Sequence, residues 1–222
     1  MLLEEQATKS NYFSHRALYI SNSFRRIIAE ARRRFKLYVS GEDKSAINPN
    51  LRLAVFRIVV AEGGIEEYDA LVQEYLSTST VDGREIVLSA LGRVRKPELI
   101  QQVLEFIISD SVKTQDKHTP AIALAGNSRA RLALWTFIKT NWDTIYQQLS
   151  GNMVTLDRFL KNTLNKFASQ EVLDDIDSFF KDKNTSGYDR GLGIISDTVR
   201  GNISWVKRDE EAVKAWLSVH VA

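Results

Sequence analysis

At 222 residues, with 44% apolar and 26% charged side chains, the chain can bury a substantial core, in one large domain or two small ones, as an ordinary soluble protein does. Its 3 prolines and 11 glycines leave little material for a sandwich of many tight turns, and the absence of cysteine excludes disulfides and thiolate metal sites. The net charge of +2 is small for a general nucleic-acid binder and is unevenly spread, with 11 Lys/Arg against 5 Asp/Glu in residues 1–60 and 19 against 23 in the remainder, as a local basic patch would give.

The opening "MLLEEQATKSNYF" has no basic stretch leading into an apolar one, so it does not read as a secretory signal. No apolar run approaches the ~20 residues of a membrane span, and a cytoplasmic location is expected. The basic surplus peaks in "EARRRFKLYVSG", from Glu30 to Gly41. Successive helical residues point in different directions, so Arg32, Arg33 and Arg34 fan around a helix instead of forming a row that tracks phosphates. One or two of them are expected to pair with Glu30 or with acidic residues of a packed neighbour.

Asn50 to Glu62, "NLRLAVFRIVVAE", is apolar nearly all round and stops at Gly63-Gly64. "VFRIVV" alone has strand character, but helical neighbours and short connections favour a buried helix. Amphipathic segments follow from Ile65 to Leu76 and from Asp82 to Leu91. Pro97 to Ser109 carries Leu99, Ile100, Val103, Leu104, Ile107 and Ile108 at helical spacing behind a proline suited to a first turn. From about Arg129 a further helix carries Trp135, Ile138, Trp142, Ile145 and Leu149 in one stripe, with Gly151 as its stop. "LDRFLKNTLNKFAS" places Leu156, Phe159, Leu160, Leu164 and Phe167 together, and "QEVLDDIDSFFKDK" does so with Val172, Leu173, Ile176, Phe179 and Phe180. A long helix is expected from Leu192 to about Lys207, and Asp209 is expected to N-cap a last short one. About ten helices in antiparallel-looking pairs make the fold class all-α, an α-α superhelix (solenoid) of HEAT-like helix pairs.

Motifs for chemistry are scarce. His15, His118 and His220 are scattered, without a second ligand at metal spacing. Gly191 and Gly193 of "RGLGIISD" lack the third glycine of a phosphate loop and read as helix-entry glycines. Ser178 and Lys181 match S-x-x-K, with core-like Phe179 and Phe180 between them and no companion motif. Asp174, Asp175 and Asp177 lack the spacing of a calcium loop and read as a solvated helix face. The sequons at Asn184 and Asn202 carry little weight without a secretory route.

These stripes belong to a longer ordered pattern: "EARRRFKLYVSG", "INPNLRLAVF", "LSALGRVRKPELIQQVLEFIISDSVKTQDK", "LALWTFIKTNWDTIYQQL" and "VRGNISWVKRDEEAVKAWL". From about Ile28 to Leu217 the chain resembles the C-terminal helical domain of the M1 family of zinc aminopeptidases, in its puromycin-sensitive and fungal cytosolic branch. The resemblance implies a bowl of HEAT-like helices that encloses a peptide cavity and closes on a catalytic domain. That domain carries the family's G-x-M-E-N and HExxH motifs, and neither occurs here. No catalytic or zinc residue therefore carries over, no cofactor is expected in this chain, and zinc belongs to the parent family's catalytic domain. The chain alone is expected to be inactive. The implied partners are the peptide substrate and that catalytic domain in cis, with no nucleic acid and no membrane.

One residue carries over from the antigen-trimming relatives, where an arginine of the "AL-x-R" block helps bind the peptide's carboxyl end. Arg93 in "ALGRVRKPEL" matches it, and a guanidinium can hold a carboxylate through two parallel hydrogen bonds. Capping of the preceding helix is the other role open to Arg93. The expected organisation is a divergent, helical segment over 1–27 and one helical domain over 28–222. A stack cut at its start exposes an apolar face, so a truncated product, or a part that needs a partner, is expected. The competing reading is a free-standing α-solenoid scaffold that binds an acidic protein or RNA through the basic N-terminal helix.

Overall fold

The computed structural model describes residues 23–220, and every regular element among them is helical. The chain divides between Ala90 and Leu91 into two compact units.

The first unit contains α1 (23–40), a 3-10 turn (Pro49–Leu51), α2 (Arg52–Glu62), α3 (Ile65–Ser77) and all but the last residue of α4 (Val81–Leu91). "VFRIVV" is helical, and α2 buries Val55, Phe56, Val59 and Val60. Phe56 meets Phe35 and Tyr38 of α1 edge-on, each at 5.7 Å between ring centres. Glu67 reaches back to the Gly64 N–H at 2.8 Å, which satisfies a donor that the start of α3 would otherwise leave open. Tyr38 donates its hydroxyl to Glu74 at 2.7 Å, and Lys44 lies 4.2 Å above the Tyr38 ring. Burial, reinforced by the Glu74 carboxylate, pushes the Tyr38 hydroxyl up to about 12.

The arginines fan as expected. Arg33 holds Glu30 through two bonds of 2.8 Å, and Arg34 reaches the same carboxylate at 2.7 Å and the Ala46 carbonyl at 3.3 Å. Arg32 donates to the Glu62 carbonyl at the end of α2. The bonds from Arg33 and then Arg34 hold the Glu30 carboxyl at about 2, against an ordinary 4.5.

The second unit contains α5 (Pro97–Ile108), a 3-10 turn (Thr114–Asp116), α6 (His118–Ala125), α7 (Arg131–Thr140), α8 (Trp142–Leu149), α9 (Met153–Leu164), α10 (Gln170–Phe180) and α11 (Asp189–His220). Here α6 packs between α5 and α9, while α11 covers α9 and α10. Two glycines permit the closest approaches, since a Cβ on Gly92 would overlap Ala123 of α6 and one on Gly191 would overlap Asp157 of α9. Trp135, Trp142, Phe179, Phe180 and Tyr188 form an aromatic cluster with ring centres 5.0–6.3 Å apart, a spacing at which edge-to-face pairs are favourable.

Four elements differ from the sequence expectation. The stripe from Trp135 to Leu149 is split between α7 and α8 at Asn141, which caps α7 through the Phe137 carbonyl and offers its own carbonyl to Ile145. The buried stripe continues across this break. Helix α6 has no counterpart among the expected elements. Phe167 is buried but lies beyond the end of α9. Asp209 starts no new helix, because α11 runs unbroken for 32 residues, about 48 Å. Pairs one turn apart support its distal half, Lys214 with Glu210 at 2.8 Å and with Glu211 at 3.4 Å. Trp205, Val213, Trp216 and Leu217 of that half are exposed.

Candidate functional site: clamped turns around Arg93

The turn between α4 and α5 is short and held from both sides. Val94 donates its N–H to the Leu91 carbonyl at 3.3 Å and buries its side chain completely. The Asn127 amide, from the turn after α6, donates to the carbonyls of Gly92 at 3.2 Å and Val94 at 2.7 Å. The Asn127 side-chain oxygen accepts the Arg129 N–H at 3.1 Å, so the whole amide group is engaged. Between the two clamped carbonyls stands Arg93, exposed, with its guanidinium making no hydrogen bond or ion pair among the described residues.

The same construction recurs at the turn between α9 and α10. Asn202 of α11 donates to the carbonyls of Asn165 at 3.0 Å and Phe167 at 2.9 Å. Phe167 is buried as Val94 is, and exposed Lys166 occupies the middle position as Arg93 does. Arg131 links the turns, donating to the Ala125 carbonyl at 2.7 Å and to the Lys166 carbonyl at 2.6 Å. The α4–α5, α6–α7 and α9–α10 turns therefore lie side by side.

Lys117 performs a related task at the other end of α5. Its buried ammonium donates to the carbonyls of Ile107 at 3.1 Å and Ser109 at 2.8 Å, where the last carbonyls of a helix need donors and its dipole favours a cation. Burial pushes the Lys117 pKa below its ordinary 10.5, against an opposing pull from Asp110. Of the residues that build these turns, Arg93 is the one the sequence points to as a contact, while Asn127, Asn202, Arg131 and Lys117 carry no sequence expectation. Both clamp asparagines follow a glycine, at 126–127 and 201–202, but so does Asn152, which caps α9 instead, so the pair alone does not mark a clamp.

The remaining candidates form no centre. Asp175 accepts the Trp135 indole N–H and the Lys139 ammonium, both at 2.6 Å, and so ties α10 to α7 instead of standing only in solvent. The bond from Lys139 leads in lowering its pKa. Asp174 accepts from Gln170 at 2.7 Å, and Asp177 from Ser196 at 3.1 Å. Ser178 is exposed while Phe180 lies in the core. Gly191 and Gly193 stand in the first turns of α11. His118 begins α6, and His220 stacks on Trp216 at 4.4 Å. His15 lies outside the described residues. Among those residues no group of three or more His, Asp or Glu is placed to hold a metal ion, and no helix is long and apolar enough to cross a membrane.

Comparison with known proteins gives a match to the family model described as ERAP1-like C-terminal domain over residues 5–201. The chain is 31% identical over 183 residues to "Aminopeptidase 2, mitochondrial" of Saccharomyces cerevisiae, covering 82% of this chain and 19% of that protein. It is 30% identical over 194 residues to "Aminopeptidase 2" of Candida albicans, covering 87% and 21%. Identity to human "Aminopeptidase N" is 23% over 188 residues, covering 83% and 19%. The chain thus spans about a fifth of the length of these relatives.

Proposed function

Because the chain belongs to the ERAP1-like C-terminal domain family, we propose that it serves as the C-terminal helical domain of an M1 zinc aminopeptidase. In this reading it encloses peptide substrate beside a catalytic domain that removes N-terminal residues. The observation that carries the reading is the family match over residues 5–201 in a chain that aligns to about a fifth of proteins named as aminopeptidases. Zinc and the catalytic groups belong to the rest of such an enzyme, and the chain by itself is inactive.

We read the helices as HEAT-like pairs of an α-solenoid. The repeated clamp supports this, since each asparagine follows the first carbonyl it holds by 35 or 37 residues, close to the length of one helix-pair repeat, about 40 residues. Arg93, held at the middle of a rigid turn with its guanidinium uncommitted, is the proposed contact for the peptide's carboxyl end. A cytoplasmic location fits the lack of cysteine.

The scaffold reading, with RNA or an acidic protein on the basic N-terminal helix, is less well supported. Arg32, Arg33 and Arg34 are already engaged by Glu30 and by backbone carbonyls.

The test of the peptide-holding reading compares one peptide with a free or an amidated C-terminus, titrated into the wild type and Arg93→Ala. The free form is expected to bind the wild type more tightly and to lose that advantage in the variant. Equal affinity of the two forms for the wild type would remove Arg93 from the reading.

A further inference from the structure

We propose that the edge of the second unit formed by the α4–α5, α6–α7 and α9–α10 turns is a binding strip for an acidic peptide segment, contacted by Arg93, Lys96, Arg129 and Lys166. The proposal rests on the peptide-holding reading and adds a class of peptide and three contacts to it.

Position comes from hydrogen bonds alone. Asn127 joins the α6–α7 turn to the α4–α5 turn, and Arg131 joins the start of α7 to the α9–α10 turn. The twin clamps fix the backbone on both sides of Arg93 and Lys166, and the buried Val94 and Phe167 anchor each turn from within. The two charged side chains therefore stand on backbone that is already ordered, which lowers the entropy a ligand must remove on binding.

Charge gives the ligand. Arg93, Lys96, Arg129 and Lys166 are exposed, and their charged groups have no ion-pair partner among the described residues. Elsewhere in this unit Lys139 is paired with Asp175, Lys161 with Asp157 and Lys214 with Glu210. Residues 92–96, 126–130 and 165–169 contain no Asp or Glu, and the nearest carboxylates along the chain are Glu98 and Glu171, in the first turns of α5 and α10. Turns at the other ends of these helices mix both signs, with Asp110 and Asp116 beside Lys113, and Asp182 between Lys181 and Lys183.

Spacing and surface favour peptide over nucleic acid. Packed helices lie about 8–10 Å apart, and an extended chain advances about 3 Å per residue. Carboxylates about three residues apart therefore step from one turn to the next. Single-stranded nucleic acid is held largely by aromatic side chains that stack on bases, and the aromatic residue in these turns, Phe167, is buried.

The experiment is fluorescence anisotropy on the full chain with a labelled peptide, blocked at its N-terminus and amidated at its C-terminus. One form has glutamate at every third position and the other has glutamine there. The glutamate form is expected to bind the wild type at least tenfold more tightly, by a margin that shrinks as salt is raised. Arg93→Ala/Lys166→Ala is expected to abolish the margin, and Lys113→Ala/Lys181→Ala, on the other turns, to keep it. All four residues are exposed, and unchanged thermal unfolding of each variant verifies the fold. Equal binding of the two peptides, or loss of the margin in the control variant, overturns the strip. So does tighter binding of a single-stranded RNA that depends on Arg93 and Lys166. Because the amidated peptide offers no terminal carboxylate, a chain that still prefers free C-termini would keep the peptide-holding reading while losing this one.

Discussion

Replacing Asn127 with alanine removes the two donations that hold the α4–α5 turn, to Gly92 at 3.2 Å and Val94 at 2.7 Å, together with the acceptor for Arg129 at 3.1 Å. A typical internal hydrogen bond contributes about 1 kcal/mol net. The short bond beside buried Val94 has that full value, and the long bond to Gly92 and the exposed one to Arg129 about half each, for a total of about 2 kcal/mol. For a chain of this length such a loss lowers the midpoint of thermal unfolding by roughly 4–8 °C. Urea unfolding followed by far-ultraviolet circular dichroism measures the loss directly, with an unchanged slope if the unfolded state is unaffected. Asn127→Asp is the sharper variant, since it keeps the shape while turning a carboxylate toward two carbonyl oxygens, and it should cost at least as much as alanine. Asn202→Ala should cost a similar amount, and because the two asparagines share no partner the losses should add within about 0.5 kcal/mol. An Asn127→Ala protein within about 0.5 kcal/mol of the wild type, or an Asn127→Asp protein equal to it, would falsify the clamp.

Lys117→Met leaves the carbonyls of Ile107 and Ser109 without their donor and should cost about 1–3 kcal/mol in urea unfolding. Burial lowers the Lys117 pKa in the folded state, so as pH approaches 10.5 the unfolded chain binds the extra proton and stability rises with pH; comparison of pH–stability slopes should show this component missing from the variant. Glu30 makes its contribution in full above pH 4.5 and loses it as pH falls from 4.5 towards 2. Glu30→Gln should remove that part of the acid sensitivity, and carboxyl titration by nuclear magnetic resonance should place the wild-type group at about 2. Trp135→Ala, at a site only 1% exposed, should cost about 3–5 kcal/mol, while Trp135→Phe should lose mainly the bond to Asp175, about 1 kcal/mol.

The sequence was most informative where periodicity and local pairing decide the outcome. The stripe of α5 is legible because Leu99, Ile100, Val103, Leu104 and Ile107 share one buried face. The arginine fan is legible because Glu30 lies one helical turn before Arg33 and Arg34. Helix α6 escaped because "HTPAIALA" is apolar without a stripe and carries Pro120, which the first turn of a helix tolerates. The break at Asn141 escaped because both helices bury the same face across it. The expected start at Asp209 overvalued one capping residue, when Arg208 engages that carboxylate at 2.7 Å and no glycine or proline follows it within α11. The clamps were out of reach, because Asn127 and Asn202 hold turns more than thirty residues away along the chain, and a lone asparagine carries no periodic signal.

Under the proposed function, the chain holds peptides without cutting them. Equilibrium dialysis of the purified chain against a labelled peptide with a free C-terminus, with zinc present, followed by mass spectrometry of the peptide, tests both halves at once. Peptide is expected to accumulate on the protein side and to be recovered at its original mass. Peptide shortened from its N-terminus, or peptide shared equally between the chambers, would contradict that function.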